Sequence, residues 1–206
     1  MTHGLIHSLL SDFYDTICRY NCLSKFIYLT MFEFFKKIIE YFNSQHIPYM
    51  LSGSIAMGVY IEPRATKDID FVVHLQSKDI DGFVAHFEGA YYCSKDAVVD
   101  AINRQSIFNV IDHASGFKAD FVILKNSEYR LAEFERKQPA DFYGIEISIV
   151  SPEDLLISKL IWIQEWQSAV QMEDIKNLAA IPGLQFEYID SWIKKLNLNT
   201  FNLIEL

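Results

Sequence analysis

In residues 31–42 the apolar side chains Phe32, Phe35, Ile38, Ile39 and Phe42 are separated by Lys36, Lys37 and Glu40. A spacing of three and four predicts an amphipathic helix. Residues 48–51 form a short apolar run that stops at Ser52-Gly53-Ser54, and Ile55-Ala56-Met57 resumes as a helix start, so a strand, a glycine turn and a helix are expected in that order. After a polar loop over 62–66, residues 68–75 read as a second strand and 78–89 as a helix. Residues 106–112 and 118–124 read as strands paired across His113-Ala114-Ser115-Gly116, and 142–150 as a further strand. At Ser151-Pro152-Glu153-Asp154 a capping serine, a proline at the first helical position and an acidic first turn predict a helix that runs to about residue 167. Helical stretches over 173–180 and 185–196 surround the break at Ile181-Pro182-Gly183. The pattern implies an α+β fold, a mixed sheet flanked by helices with a helical C-terminal part. It divides the chain into an extension (1–30), a sheet-bearing domain (31–150) and a C-terminal helical region (151–206).

With 206 residues, half of them hydrophobic, the chain suits one catalytic domain and a modest appendage. Its formal net charge of −9 repels nucleic acid as a whole, so an RNA partner would need a local basic patch. No dense basic run exists; Arg130, Arg136 and Lys137, and Lys194 with Lys195, read as solvated helix faces. Three cysteines, Cys18, Cys22 and Cys93, are too few for a disulfide framework and read as small buried hydrophobes, which fits a reducing cytoplasm. The opening residues lack the features of a signal peptide, and no apolar run reaches the roughly 18 residues of a membrane span.

Asp68 and Asp70 stand two apart at a strand start, so both leave the same face of the sheet, where two carboxylates can share a divalent cation. Such a pair is weak by itself, because the 14 aspartates of the chain produce an Asp-x-Asp about once by chance. The chain carries its own control. Lys67-Asp68-Ile69-Asp70 is echoed by Lys78-Asp79-Ile80-Asp81, but the second copy precedes a helical pattern, where residues two apart diverge and acids in the first turn suit the helix dipole. Asp120 heads the later strand and supplies a third carboxylate. Three aspartates can hold two magnesium ions, with surplus positive charge for a triphosphate. Gly53 lets the backbone approach a phosphate at a helix start, and Ser54 adds a hydroxyl.

Leu51-Ser52-Gly53-Ser54-Ile55-Ala56, Arg64-Ala65-Thr66-Lys67-Asp68-Ile69-Asp70-Phe71 and the lone Asp120 resemble the nucleotidyltransferase-fold family, in its branch of AbiEii-like toxins and uncharacterised relatives. Ser151-Pro152-Glu153-Asp154-Leu155-Leu156-Ile157-Ser158-Lys159-Leu160 and, more loosely, Glu173-Asp174-Ile175 extend the resemblance, which spans about residues 31–180 and is specific in its first half. It implies magnesium, a nucleoside triphosphate (ATP among the candidates) and transfer of a nucleoside monophosphate to a hydroxyl. Asp68, Asp70 and Asp120 would hold the metal, Gly53 and Ser54 the donor phosphates, and Arg64 and Lys159 would contact phosphates. Lys159 also falls among Leu155, Leu156, Leu160 and Ile163, on or beside the apolar stripe, where an ammonium needs an anion or must snorkel outward. The acceptor implied is RNA, a tRNA end or a protein hydroxyl, with a toxin–antitoxin role and a cognate antitoxin, or a drug-like alcohol as in antibiotic-modifying members. A non-catalytic interaction protein of the same fold is the rival. Where relatives often carry arginine ahead of the last acidic motif, residues 167–171 hold no basic side chain, which leaves Asp174 without a secure role. His46, His74, His86 and His113 form no recognisable pair and read as structural.

Overall fold

The computed structural model describes residues 22–66 and 68–204, with side chains from residue 29 onward. Helix α1 (Cys22–Ser44) therefore runs through the position where an extension was expected to end, and residues 1–21 lie outside the described part. It turns its apolar face to the core, with Phe34, Phe35, Ile38, Ile39 and Phe42 all buried. Strand β1 (Tyr49–Ser52) leads directly into helix α2 (Gly53–Tyr60), and β2 (Asp68–Val73) follows the polar loop. The helix expected over 78–89 is a 3-10 turn (Ser77–Asp79) continued by α3 (Ile80–His86). Next come β3 (Tyr91–Cys93), α4 (Lys95–Arg104), β4 (Ile107–Asp112), β5 (Lys118–Ile123) and α5 (Glu128–Glu135).

The single strand expected over 142–150 is the second arm of a hairpin. Strand β6 (Gln138–Phe142) turns at Tyr143 and Gly144, both with positive φ, into β7 (Ile145–Ile149). Pro139 hid the first arm, since proline reads as a strand breaker; β6 tolerates it because it is an edge strand. Helix α6 (Pro152–Ile163) starts where its cap predicted and stops four residues early, and α7 (Ala169–Ala179) and α8 (Phe186–Leu196) complete the C-terminal part.

The strands form one seven-stranded sheet in the order β3-β4-β5-β2-β1-β7-β6. The pairs β2–β5 and β1–β7 are parallel, and β1–β2, β3–β4, β4–β5 and β6–β7 are antiparallel. The sheet is mixed and helix-flanked, as the pattern implied. Alternation along β2 and β5 buries Ile69, Phe71, Val73 and Ala119, Phe121, Ile123 on one face. On that face Phe71 and Phe121 stack at 5.6 Å, Phe121 and Phe108 at 5.1 Å, and Phe42 of α1 meets Phe71 and Phe121 edge-on. Such aromatic pairs contribute about 1 kcal/mol each beyond the area they bury. The same period of two sends Asp68, Asp70 and Asp120 to the opposite face.

Candidate functional site

Parallel pairing of β2 with β5 sets Asp70 directly beside Asp120 and Asp68 directly beside Lys118. Four charged side chains thus share one face of two adjacent strands, next to the end of β1, where Ser52 is the cross-strand partner of Asp70. Gly53 follows immediately, with φ +65. A Cβ at Gly53 would lie 2.6 Å from Asp70 Cγ and 2.8 Å from its Cβ, closer than real carbon atoms approach. Both the left-handed backbone and the close passage over Asp70 demand glycine here, so the turn and the carboxylate form one unit.

Burial raises the Asp70 carboxyl to about 6, and the neighbouring charges of Asp120 and Asp68 add to the effect against the opposing pull of Lys159 and Lys118. Lys118 extends its ammonium between two of the three carboxylates, 2.8 Å from Asp120 and 3.7 Å from Asp68. Its pKa rises, chiefly through the hydrogen bond to Asp120. In this arrangement no three His, Cys, Asp or Glu side chains among the described residues are gathered tightly enough to ligate an ion. The donor chemistry nevertheless fits a hard divalent cation: the oxygens are all carboxylate, and Asp70 is held up by burial and by its like-charged neighbours.

Ser54 occupies the first turn of α2. Its hydroxyl accepts a hydrogen bond from Arg64 Nη2 at 2.7 Å. Arg64 in turn grips Asp174 with two bonds, Nε to Oδ1 at 3.0 Å and Nη2 to Oδ2 at 2.9 Å. Lys159 donates to the same Oδ2 at 2.8 Å and to Gln171 Oε1 at 2.8 Å. Lys159 is buried, which lowers its pKa against the pull of Asp174, so the apolar stripe of α6 does carry an ammonium that has found its anion. Burial alone would raise Asp174, but the hydrogen bonds from Arg64 and Lys159 outweigh it and hold the carboxyl below its ordinary value. The residues expected to meet phosphate, Ser54, Arg64 and Lys159, are therefore brought into one cluster and joined by Asp174.

Gln171 and Lys118 are not marked by any motif in the sequence, and Asp174, part of the loose Glu173-Asp174-Ile175 match, gains its role only from the structure. Asp174 and Gln171 lie on α7, and nothing local marks them as partners of Lys159. Lys118 stands two residues before Asp120 in a strand, so alternation alone places it on the carboxylate face. Among the decoys, Asp79 accepts from the Gln76 backbone N–H at 2.9 Å and Asp81 pairs with Lys95, as first-turn acids do. His86 packs on Tyr41 at 4.4 Å with its Nε2 buried and unpartnered, away from the carboxylates. Cys93 is a free, partly buried thiol, and the side chains of Cys18 and Cys22 fall outside the described part.

No known protein-family profile and no curated protein matches the chain in sequence. Similarity emerges from the fold. The solution structure of the antibiotic-resistance factor ANT(2'')-Ia superposes with a TM-score of 0.58 at 13% identity, over 82% of this chain and 92% of that one. The crystal structure of ANT(2'')-Ia in complex with adenylyl-2''-tobramycin gives 0.58 at 14% identity, over 82% of this chain and 99% of that one. The seven-stranded sheet with its flanking helices is the fold of these nucleotidyltransferases. No helix among the described residues is long and apolar enough to cross a membrane.

Proposed function

We propose that the chain is a divalent-metal-dependent nucleotidyltransferase that moves a nucleoside monophosphate from a triphosphate to a hydroxyl and releases pyrophosphate. The observation that carries this reading is the register of β2 and β5, which sets Asp70 beside Asp120 with Asp68 on the same face, under the Gly53 turn. Asp68, Asp70 and Asp120 would hold two magnesium ions, which when bound supply the charge that steadies attacking and leaving oxygens in an in-line displacement. Gly53 and Ser54 present free backbone N–H groups and a hydroxyl to the donor phosphates at the start of α2. Arg64 and Lys159 flank them, pre-oriented by Asp174 so that little reorganisation accompanies the build-up of negative charge. In this reading residues 31–150 carry the metal and donor sites, and residues 151–206 close them with Lys159.

The acceptor is a hydroxyl on RNA, protein or a small molecule. The net charge of −9 favours a neutral or cationic small alcohol over a long polyanion. The small-molecule reading is the one the ANT(2'')-Ia complex with an adenylylated drug illustrates in its own case. The resemblance to AbiEii-like toxins supports the macromolecular one, with a cognate antitoxin as partner. Incubation with labelled triphosphates, magnesium and cell extract tests the proposal. Label transfer that disappears in Asp68→Asn and Asp70→Asn is the expected result, and transfer unaffected by either substitution would sink it. The rival, a non-catalytic interaction protein, requires that triphosphate binding be indifferent to magnesium and to Asp68→Ala.

A further inference from the structure

The proposed reaction leaves one charged group on the carboxylate face without a task. Lys118 is the cross-strand neighbour of Asp68 and, two residues before Asp120 in β5, leaves the sheet on the same side. Its ammonium touches Asp120 Oδ2 at 2.8 Å and approaches Asp68 Oδ1 at 3.7 Å, so it bridges two of the three carboxylates. The other two cations of the site cannot serve there: Arg64 and Lys159 are tied to Asp174 on α7.

We propose that Lys118 is a built-in counter-cation of the carboxylate face, which a divalent ion must displace from between Asp68 and Asp120, and which then offers its freed ammonium to the phosphates of the incoming donor. The inference rests on the metal-dependent reading above. Three carboxylates on neighbouring positions repel one another, and a single ammonium relieves part of that repulsion. Lysine suits the task because its charge is a compact point on a flexible four-carbon stem, able to swing aside without disturbing the strand. The side chain is 35% exposed, so the path outward is open, and Asp68 beside it is 51% exposed. A divalent ion brings twice the charge and takes several oxygens at once, which an ammonium does not. Two consequences follow from this exchange. The metal binds less tightly than the bare carboxylates would bind it, and metal and triphosphate reinforce each other, because the displaced lysine finds a new anion in the triphosphate.

Manganese binding without nucleotide, followed by the loss of its free paramagnetic signal, tests the exchange in the full chain. Lys118→Gln should bind manganese about tenfold more tightly than the wild type, the effect of removing one competing charge at contact distance on a part-exposed face. Lys118→Arg, which keeps the charge, should bind no more tightly than the wild type. The gain should persist in 1 M KCl, where screening acts within about 3 Å and erases mere proximity effects. With a non-hydrolysable triphosphate present, the factor by which manganese tightens nucleotide binding should shrink in Lys118→Gln. A measurement on unmutated protein guards against a folding defect: the reductively 13C-methylated Lys118 resonance, assigned by its loss in Lys118→Arg, should move when magnesium is added. If Lys118→Gln binds manganese no better than wild type while Asp70→Asn abolishes binding, the counter-cation role is overturned and the metal site stands. If no variant binds manganese, both fall together.

Discussion

Asp70→Asn in metal-free protein isolates the strain that the carboxylate face carries. Burial, then the charges of Asp120 and Asp68, raise the Asp70 carboxyl from an ordinary 3.8 to about 6. A carboxyl whose pKa is higher in the folded chain binds its proton more tightly there. It therefore favours folding below about pH 4, loses that contribution as the pH rises from about 4 to 6, and opposes folding above. The gap corresponds to roughly 3 kcal/mol, and solvent screening of this part-exposed face leaves about 1–3 kcal/mol at neutral pH. Asparagine has nearly the same shape and no charge. In a chain of 206 residues that difference amounts to a rise of about 3–8 °C in Tm at pH 7.5 in EDTA. Melts followed by circular dichroism at pH 4.5 and 7.5 should show the variant above the wild type at pH 7.5, with the advantage narrowing at pH 4.5. Excess magnesium should raise the wild type and leave the variant nearly unchanged. An Asp70→Asn protein that melts at or below the wild type at pH 7.5 in EDTA would refute the account of a crowded carboxylate.

Gly53→Ala meets both a left-handed backbone and the Asp70 side chain, so a loss of about 2–4 kcal/mol in urea unfolding is expected. A loss under half of that would mean that the turn relaxes freely. Asp174→Asn removes the anion shared by Arg64 and the buried Lys159, and should cost about 3 kcal/mol in the same assay; an unchanged midpoint would show that the cluster is not held by charge. Ser151→Ala deletes the cap of α6, where the hydroxyl accepts from the Asp154 N–H at 3.2 Å and donates to Asp154 Oδ2 at 2.6 Å. A loss of about 1–2 kcal/mol is expected, without effect on manganese binding.

Much of this architecture was legible because its signals are local. Ser151 and Pro152 mark the start of α6 through the chemistry of one helical turn, and the structure begins it there. Helices α4 and α5 carry weaker signals because both are short: α4 buries only Val98 and Ala101 behind its Ser94 cap, and α5 buries Tyr129, Glu133 and Phe134, too few positions to establish a period. Gly53 was legible as a turn, while the steric need for it lies in Asp70, which approaches it only once β1 and β2 have paired.

The direction in which each side chain leaves its element is written locally in the chain. The period of two puts Phe71 and Phe121 in the core and Asp68, Asp70, Lys118 and Asp120 on the other face, and it separates the strand pair from its helical decoy at Asp79 and Asp81. Which distant groups meet depends instead on how the elements pack. Asp70 stands beside Asp120 because β2 and β5 pair in parallel in one register, and Arg64 reaches Asp174 across 110 residues because α7 packs beside α6. Side-chain direction follows from backbone geometry over two or three residues, whereas strand partners and helix neighbours are selected by the burial of whole faces, to which every part of the chain contributes.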